Sequence, residues 1–177
     1  PMPHDAVVDW VLVLSLLWIL GIICMISYLL FSYILMRRKV AGSMVIEKGV
    51  SICDEIKSPF LFGVLKPHIY LPSGLDKNGR EYVLLHERMH LKRGDHLWKP
   101  LGFMVLAVYW FHPLCWISYF LLCRDIELAC DEMVIQKKDD SWRANYCQVL
   151  LDCSVGKQKM IVVPLAFGEV GVKERVK

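Results

Sequence analysis

Between Trp10 and Met36 the chain runs for 27 residues without a charge, centred on Leu14-Ser15-Leu16-Leu17-Trp18-Ile19-Leu20. A helix rising about 1.5 Å per residue would cover roughly 40 Å over that stretch, more than the ~30 Å hydrocarbon core of a bilayer. No polar face interrupts it, which argues against a buried core helix. A cleaved signal peptide fits worse, because acidic Asp5 and Asp9 precede the run and no small-residue cleavage site follows. Residues 40–76 then change character. Val45-Ile46, Val50 to Cys53 and Phe60 to Leu71 are short apolar or alternating stretches punctuated by Gly49, Pro59, Gly63, Pro67, Pro72 and Gly74, a pattern of short β-strands joined by turns. From Lys77 to Arg93 the period becomes helical, with Tyr82, Leu85 and Met89 at steps of three and four and Gly94 as the stop. A second uncharged stretch, Pro100 to Cys123, is interrupted by His112-Pro113, which predicts two short helices. Arg124 to Lys138 reads as a further helix, and Ser141 to Cys153 as another with Ser141 as N-cap. Val155 to Lys177 shows no clear period.

Charge adds a direction. Arg37, Arg38 and Lys39 follow the first apolar run, and the positive-inside bias puts the N-terminus outside and the rest in the cytoplasm of a membrane-anchored protein. The 177 residues carry 21 Lys+Arg against 18 Asp+Glu, a net +3 too mild to argue direct nucleic-acid binding. Hydrophobic residues make up 55%, which excludes a disordered chain. Seven cysteines, an odd count without a CxxC pair, fit reduced and mostly buried thiols.

The chemistry centres on His86-Glu87-Arg88-Met89-His90. Two histidines four apart share one helix face, so both imidazoles can reach one Zn²⁺ at about 2.0–2.1 Å. Glu87 lies near that face and can take the proton of a metal-polarised water. The competing reading is a surface helix with two unrelated histidines. A third ligand should come from another helix, and Glu127 qualifies: Arg124, Glu127 and Asp131 fall on one stripe at i, i+3 and i+7. Asp131 can accept the other ring N–H of a ligating histidine and fix its tautomer. Taken alone, this carboxylate pair also reads as a solvated helix face.

A topological constraint follows. If Pro100–Cys123 crossed the bilayer once, Glu127 would lie ~30 Å or more from His86 and His90, so the site requires a stretch that packs in the domain or dips shallowly into the membrane. Asp95 and His96 could support the site or form a polar turn. His112 reads as a core histidine or an accessory group, and His68 as a loop or strand residue. Arg124 pairs with neighbouring acids or reaches substrate. Cys123 and Cys130 read as buried rather than as ligands.

These segments resemble the metallopeptidase module of BlaR/MecR-type β-lactam-sensing antirepressors. The resemblance rests on His86 to His96, Phe111-His112-Pro113-Leu114-Cys115-Trp116 and Arg124 to Glu132. It is supported by Ser58 to Gly63, Ile69 to Pro72 and Leu165-Ala166-Phe167-Gly168. It implies an α+β gluzincin-like domain, a small mixed sheet plus helices, over 40–177 behind a transmembrane segment over 1–39. It also implies Zn²⁺ on His86, His90 and Glu127, Glu87 as general base and Asp131 behind a ligand; Arg124, His112 and Asp95 remain accessory candidates from the residues themselves. Family members with an extracellular sensor relay drug acylation inward, ending in cleavage of a cytoplasmic repressor, with self-cleavage as a further outcome. This sequence reads as having one transmembrane helix and no sensor, so it is expected to be a fragment of a longer receptor or a short member. The expected partners are a repressor-like protein substrate and the lipid bilayer; further transmembrane or sensor segments, or a second copy, stay open. The alternatives are a signalling scaffold with a structural or vestigial zinc site and a channel-like protein.

Overall fold

The computed structural model describes residues 4–155. The Leu165–Gly168 motif and the end of the expected domain lie outside them. The order is α1 (His4–Lys39), β1 (Met44–Glu47), β2 (Val50–Cys53), β3 (Phe60–Phe62), β4 (His68–Pro72), α2 (Lys77–Arg93), α3 (Asp95–Val108), α4 (Pro113–Ile135) and α5 (Asp140–Val155). The expected α+β architecture, with a small mixed sheet and one long apolar N-terminal helix, is borne out.

Asp9–Lys39 of α1 is long and apolar enough to cross a membrane, and Arg37, Arg38 and Lys39 end it. Its C-terminal end is different. Met36 and Val40 are buried against Ile56, Phe60 and Phe62, and Tyr33 stacks on Phe62 at 4.9 Å. The helix therefore enters the folded domain before it ends.

The sheet runs in the order β1-β2-β4-β3, with β2 and β4 parallel and the two outer pairs antiparallel. Phe60 to Leu71 is two strands rather than one stretch, because Gly63 adopts φ +106, a backbone that favours glycine, and turns the chain. β3 is an edge buried along its length, whereas β1, at the other edge, is exposed throughout. A second cluster of Val50, Leu61, Ile69, Leu71 and Val83 seats α2 on the sheet.

Helix α2 has the expected bounds. Asp76 caps its start, accepting from Gly79 N at 2.9 Å, and Gly94 at φ +74 closes its end through bonds to the His90 and Leu91 carbonyls. Three expectations need correction. Asp95 and His96 do not form a polar turn, one of the two readings open for them: α3 starts at Asp95 and accommodates Pro100 within it. There is no helix boundary at Cys123, since α4 runs unbroken from Pro113, the favoured first position for proline, to Ile135. Ser141 does not cap α5, which begins at Asp140, with Arg143 N bonding to the Asp139 carbonyl.

Candidate metal centre

Four helices converge at the two histidines. α2 carries His86, Glu87 and His90, all buried; α4 brings Glu127, also buried; α3 brings Asp95 and Lys99; and α5 brings buried Tyr146. The one-turn offset sets His86 Nε2 and His90 Nε2 3.1 Å apart, and Glu127 Oε2 lies 3.7 Å and 3.5 Å from them. Tetrahedral bonds of about 2.0–2.1 Å would put ligand atoms roughly 3.3–3.4 Å apart, so these atoms fit a zinc-sized cation.

The outer nitrogens explain why the inner ones are available. His90 Nδ1 is 2.8 Å from Asp95 Oδ2, and His86 Nδ1 is 3.1 Å from Asp131 Oδ1 and 2.8 Å from the Tyr146 hydroxyl. Tyr146 in turn donates to Asp131 Oδ1 at 2.8 Å. Carboxylate acceptors behind both rings hold the protons on Nδ1 and aim the Nε2 lone pairs inward. Two lone pairs 3.1 Å apart beside a carboxylate call for positive charge between them, supplied by a proton or a metal ion.

The protonation tendencies agree. Burial works against charge on both rings, but Asp131, Cys130 and Glu127 outweigh it at His86, and Asp95, Cys130 and Glu127 do so at His90, so both pKa values sit well above the ordinary histidine value. Burial alone would raise Glu127. The Lys99 ammonium, whose Nζ donates to Glu127 Oε1 at 2.6 Å, and the two imidazoles hold it well below the usual carboxylate range. Lys99 thus occupies one carboxylate oxygen and leaves Oε2 facing the histidines.

Cys130 is closer to the centre than its burial alone suggested. Its Sγ lies 3.8 Å from His86 Nδ1, and His86, His90 and Cys130 form a buried group compatible with a metal ion. Hydrogen bonds to both histidines draw its thiol pKa below the ordinary value against the opposing effect of burial.

Of the other candidates, Asp95 joins the site, whereas Arg124 and His112 do not. Arg124 is half exposed and faces Asp125 at 3.6 Å, and His112 is exposed at the start of α4, twelve residues before Arg124. His68 bonds Ser51 across the sheet at 2.8 Å. Sequence reasoning missed Lys99 and Tyr146. Lys99 carried a usable signal as the last charge before 24 uncharged residues; Tyr146, sixty residues from His86, carried none.

Fold and centre together define a peptidase-type α+β domain continuous with a long apolar helix. The chain belongs to the BlaR1 peptidase M56 family, whose description matches residues 1–177. The methicillin resistance mecR1 protein of Staphylococcus aureus is 30% identical, over 82% of this chain and 27% of its own length. The mecR1 protein of Staphylococcus epidermidis is equally similar. The regulatory protein BlaR1 of Bacillus licheniformis is 36% identical over 59% of this chain and 18% of its own length. The chain therefore spans about a quarter or less of the length of these relatives.

Proposed function

We propose that the chain is the proteolytic module of a membrane signal transducer: a zinc endopeptidase anchored by α1, with its N-terminus outside, its centre cytoplasmic and a cytoplasmic protein as substrate. Family membership suggests a transcriptional repressor, or the chain itself, as that substrate, within a response to antibiotics. The observation that carries the reading is the convergence of His86 Nε2, His90 Nε2 and Glu127 Oε2 to within 3.1–3.7 Å, beside buried Glu87.

His86, His90 and Glu127 would hold the zinc ion, which, when bound, supplies Lewis acidity at the scissile carbonyl and acidifies a water molecule. Glu87 takes the proton of the attacking water and returns it to the leaving amine. Asp95, Asp131 and Tyr146 keep the ligand rings in one tautomer, and Lys99 orients the Glu127 carboxylate. A substrate strand suits the free edge of β1, whose Glu47 is tied to Arg88, the neighbour of Glu87, at 3.0 Å. β3, the other edge, is buried among the aromatic side chains around Tyr33 and is less open to such pairing.

The test is cleavage in cells and in reconstituted membranes by wild type and Glu87→Gln. Loss of a general base should lower the rate by about 10²–10⁴-fold with zinc content unchanged. Proteolysis that survives Glu87→Gln, or a wild-type chain without stoichiometric zinc, would overturn the assignment. The His86/His90/Cys130 group favours one competing reading, a structural zinc site in a signalling scaffold. That reading requires zinc to be lost in Cys130→Ala and kept in Glu127→Ala; the peptidase reading requires the reverse.

A further inference from the structure

From Pro100 to Cys123 there is no Asp, Glu, Lys or Arg, yet this hairpin of α3 and α4 is not wrapped in protein. Phe103, Leu106 and Ala107 are buried at its inner face, where Phe103 meets Tyr119 edge-on at 5.8 Å. Its outer faces expose Leu101, Val105, Phe111, Leu114, Ile117 and Phe120, each by more than half. A stable water-facing hairpin would not present that surface.

The hairpin lies along α1. Trp18 Nε1 donates to the Val108 carbonyl at 2.8 Å, and Trp110 Nε1 donates back to the Trp18 carbonyl at 3.2 Å. Gly21 allows the approach, since a Cβ there would fall 2.1 Å from the Trp110 indole. The tip satisfies much of its own backbone. Tyr109 N bonds to Val105 O, His112 N to Tyr109 O and Cys115 N to His112 O; Pro113 has no N–H, and Trp116 Nε1 donates to Trp110 O at 2.8 Å. Backbone polar groups closed internally are what a chain reversal needs inside hydrocarbon.

We propose that residues 97–121 form a re-entrant hairpin whose outer faces are covered by lipid acyl chains. This rests on the reading that α1 spans the bilayer. Tyr33 already packs in the folded domain, and Trp18 lies fifteen residues away, about 22 Å along the helix. The tip therefore passes the mid-plane of a ~30 Å core without crossing it. The return is required by Glu127, which meets His86 and His90 on the side from which α3 departs.

The wild-type chain is reconstituted in phosphatidylcholine/phosphatidylglycerol vesicles doped with a phosphatidylcholine bearing a diazirine at the end of an acyl chain, irradiated, and its adducts mapped by peptide mass spectrometry. Residues 97–121 should label within about twofold of residues 10–30, and about tenfold above the sheet and α5. Labelling of α1 with 97–121 at the level of the sheet would overturn the hairpin while leaving the anchor intact. Absence of label from both would remove the anchor reading and the hairpin with it. Adducts in 97–121 that appear only when the protein is diluted in lipid would identify a second copy as the cover and overturn the proposal.

Discussion

The two halves of α4 differ in what surrounds them. Up to Cys123 the helix turns Leu114, Ile117 and Phe120 outward, whereas beyond it the same helix buries Ile126, Glu127 and Cys130. The apolar half is exposed and the other half, though Arg124 and Asp125 face outward, is closed around Glu127, the reverse of an ordinary amphipathic helix in water. Its charge can be buried because each oxygen of Glu127 has a cationic or metal-competent neighbour. The sharpest way to break that contrast is Lys99→Met, which strips the ammonium from one oxygen and leaves the carboxylate buried. Loss of one partner of a buried pair should cost about 3 kcal/mol in thermal unfolding of the metal-free chain in detergent, and less with zinc present. An unchanged melting temperature in the metal-free variant would mean that water reaches Glu127.

The next effect is smaller and confined to the closed half. In Asp131→Asn the amide no longer accepts as a carboxylate from the His86 ring, and zinc affinity should fall about 10–100-fold by chelator competition. Labelling of 97–121 by lipid should not change. Affinity at the wild-type level would leave Tyr146 as the sufficient partner of His86.

A milder perturbation is pH. The raised histidine pKa values mean that protonation stabilises the metal-free fold fully below about pH 6.5, and that this contribution fades as pH rises through the elevated folded values. Zinc competes with those protons. Its affinity should therefore strengthen about tenfold per pH unit between pH 6 and 8 if one proton is released, and the stabilisation by zinc should be larger at pH 8 than at pH 6. A flat profile would exclude protonated imidazoles in the metal-free centre.

This contrast also marks where sequence stops being informative. The bounds of α2 were legible because Asp76, the helical period and Gly94 are local signals. The convergence of His86 and His90 follows from their spacing alone. The continuity of α4 was not legible: the change of composition at Arg124 resembles a helix boundary and reflects instead a change of surroundings along one helix. Glu127 could be selected as a third ligand by chemistry and by the pattern around it, but Lys99 reaches it across 28 residues and Tyr146 reaches His86 across 60, distances only packing closes. The exposed edge at β1 was hidden for the same reason, since strand order is set by pairing partners and not by the strands' own residues.

The smallest expected effect belongs to the apolar half. Trp18→Phe keeps a ring beside the hairpin and removes one hydrogen bond, the donation from Nε1 to the Val108 carbonyl. Interhelical hydrogen bonds within bilayers contribute on average about 0.6 kcal/mol, so the variant should unfold only slightly more easily in vesicles. Val108 ends α3 at the far end of that helix from Lys99, so zinc affinity should stay at the wild-type value. A fall in zinc affinity of tenfold or so, about 1.4 kcal/mol, would exceed what the lost bond can supply. It would show that the packing of α1 on the hairpin biases the position of Glu127, making the two halves of α4 one mechanical element instead of two independent environments.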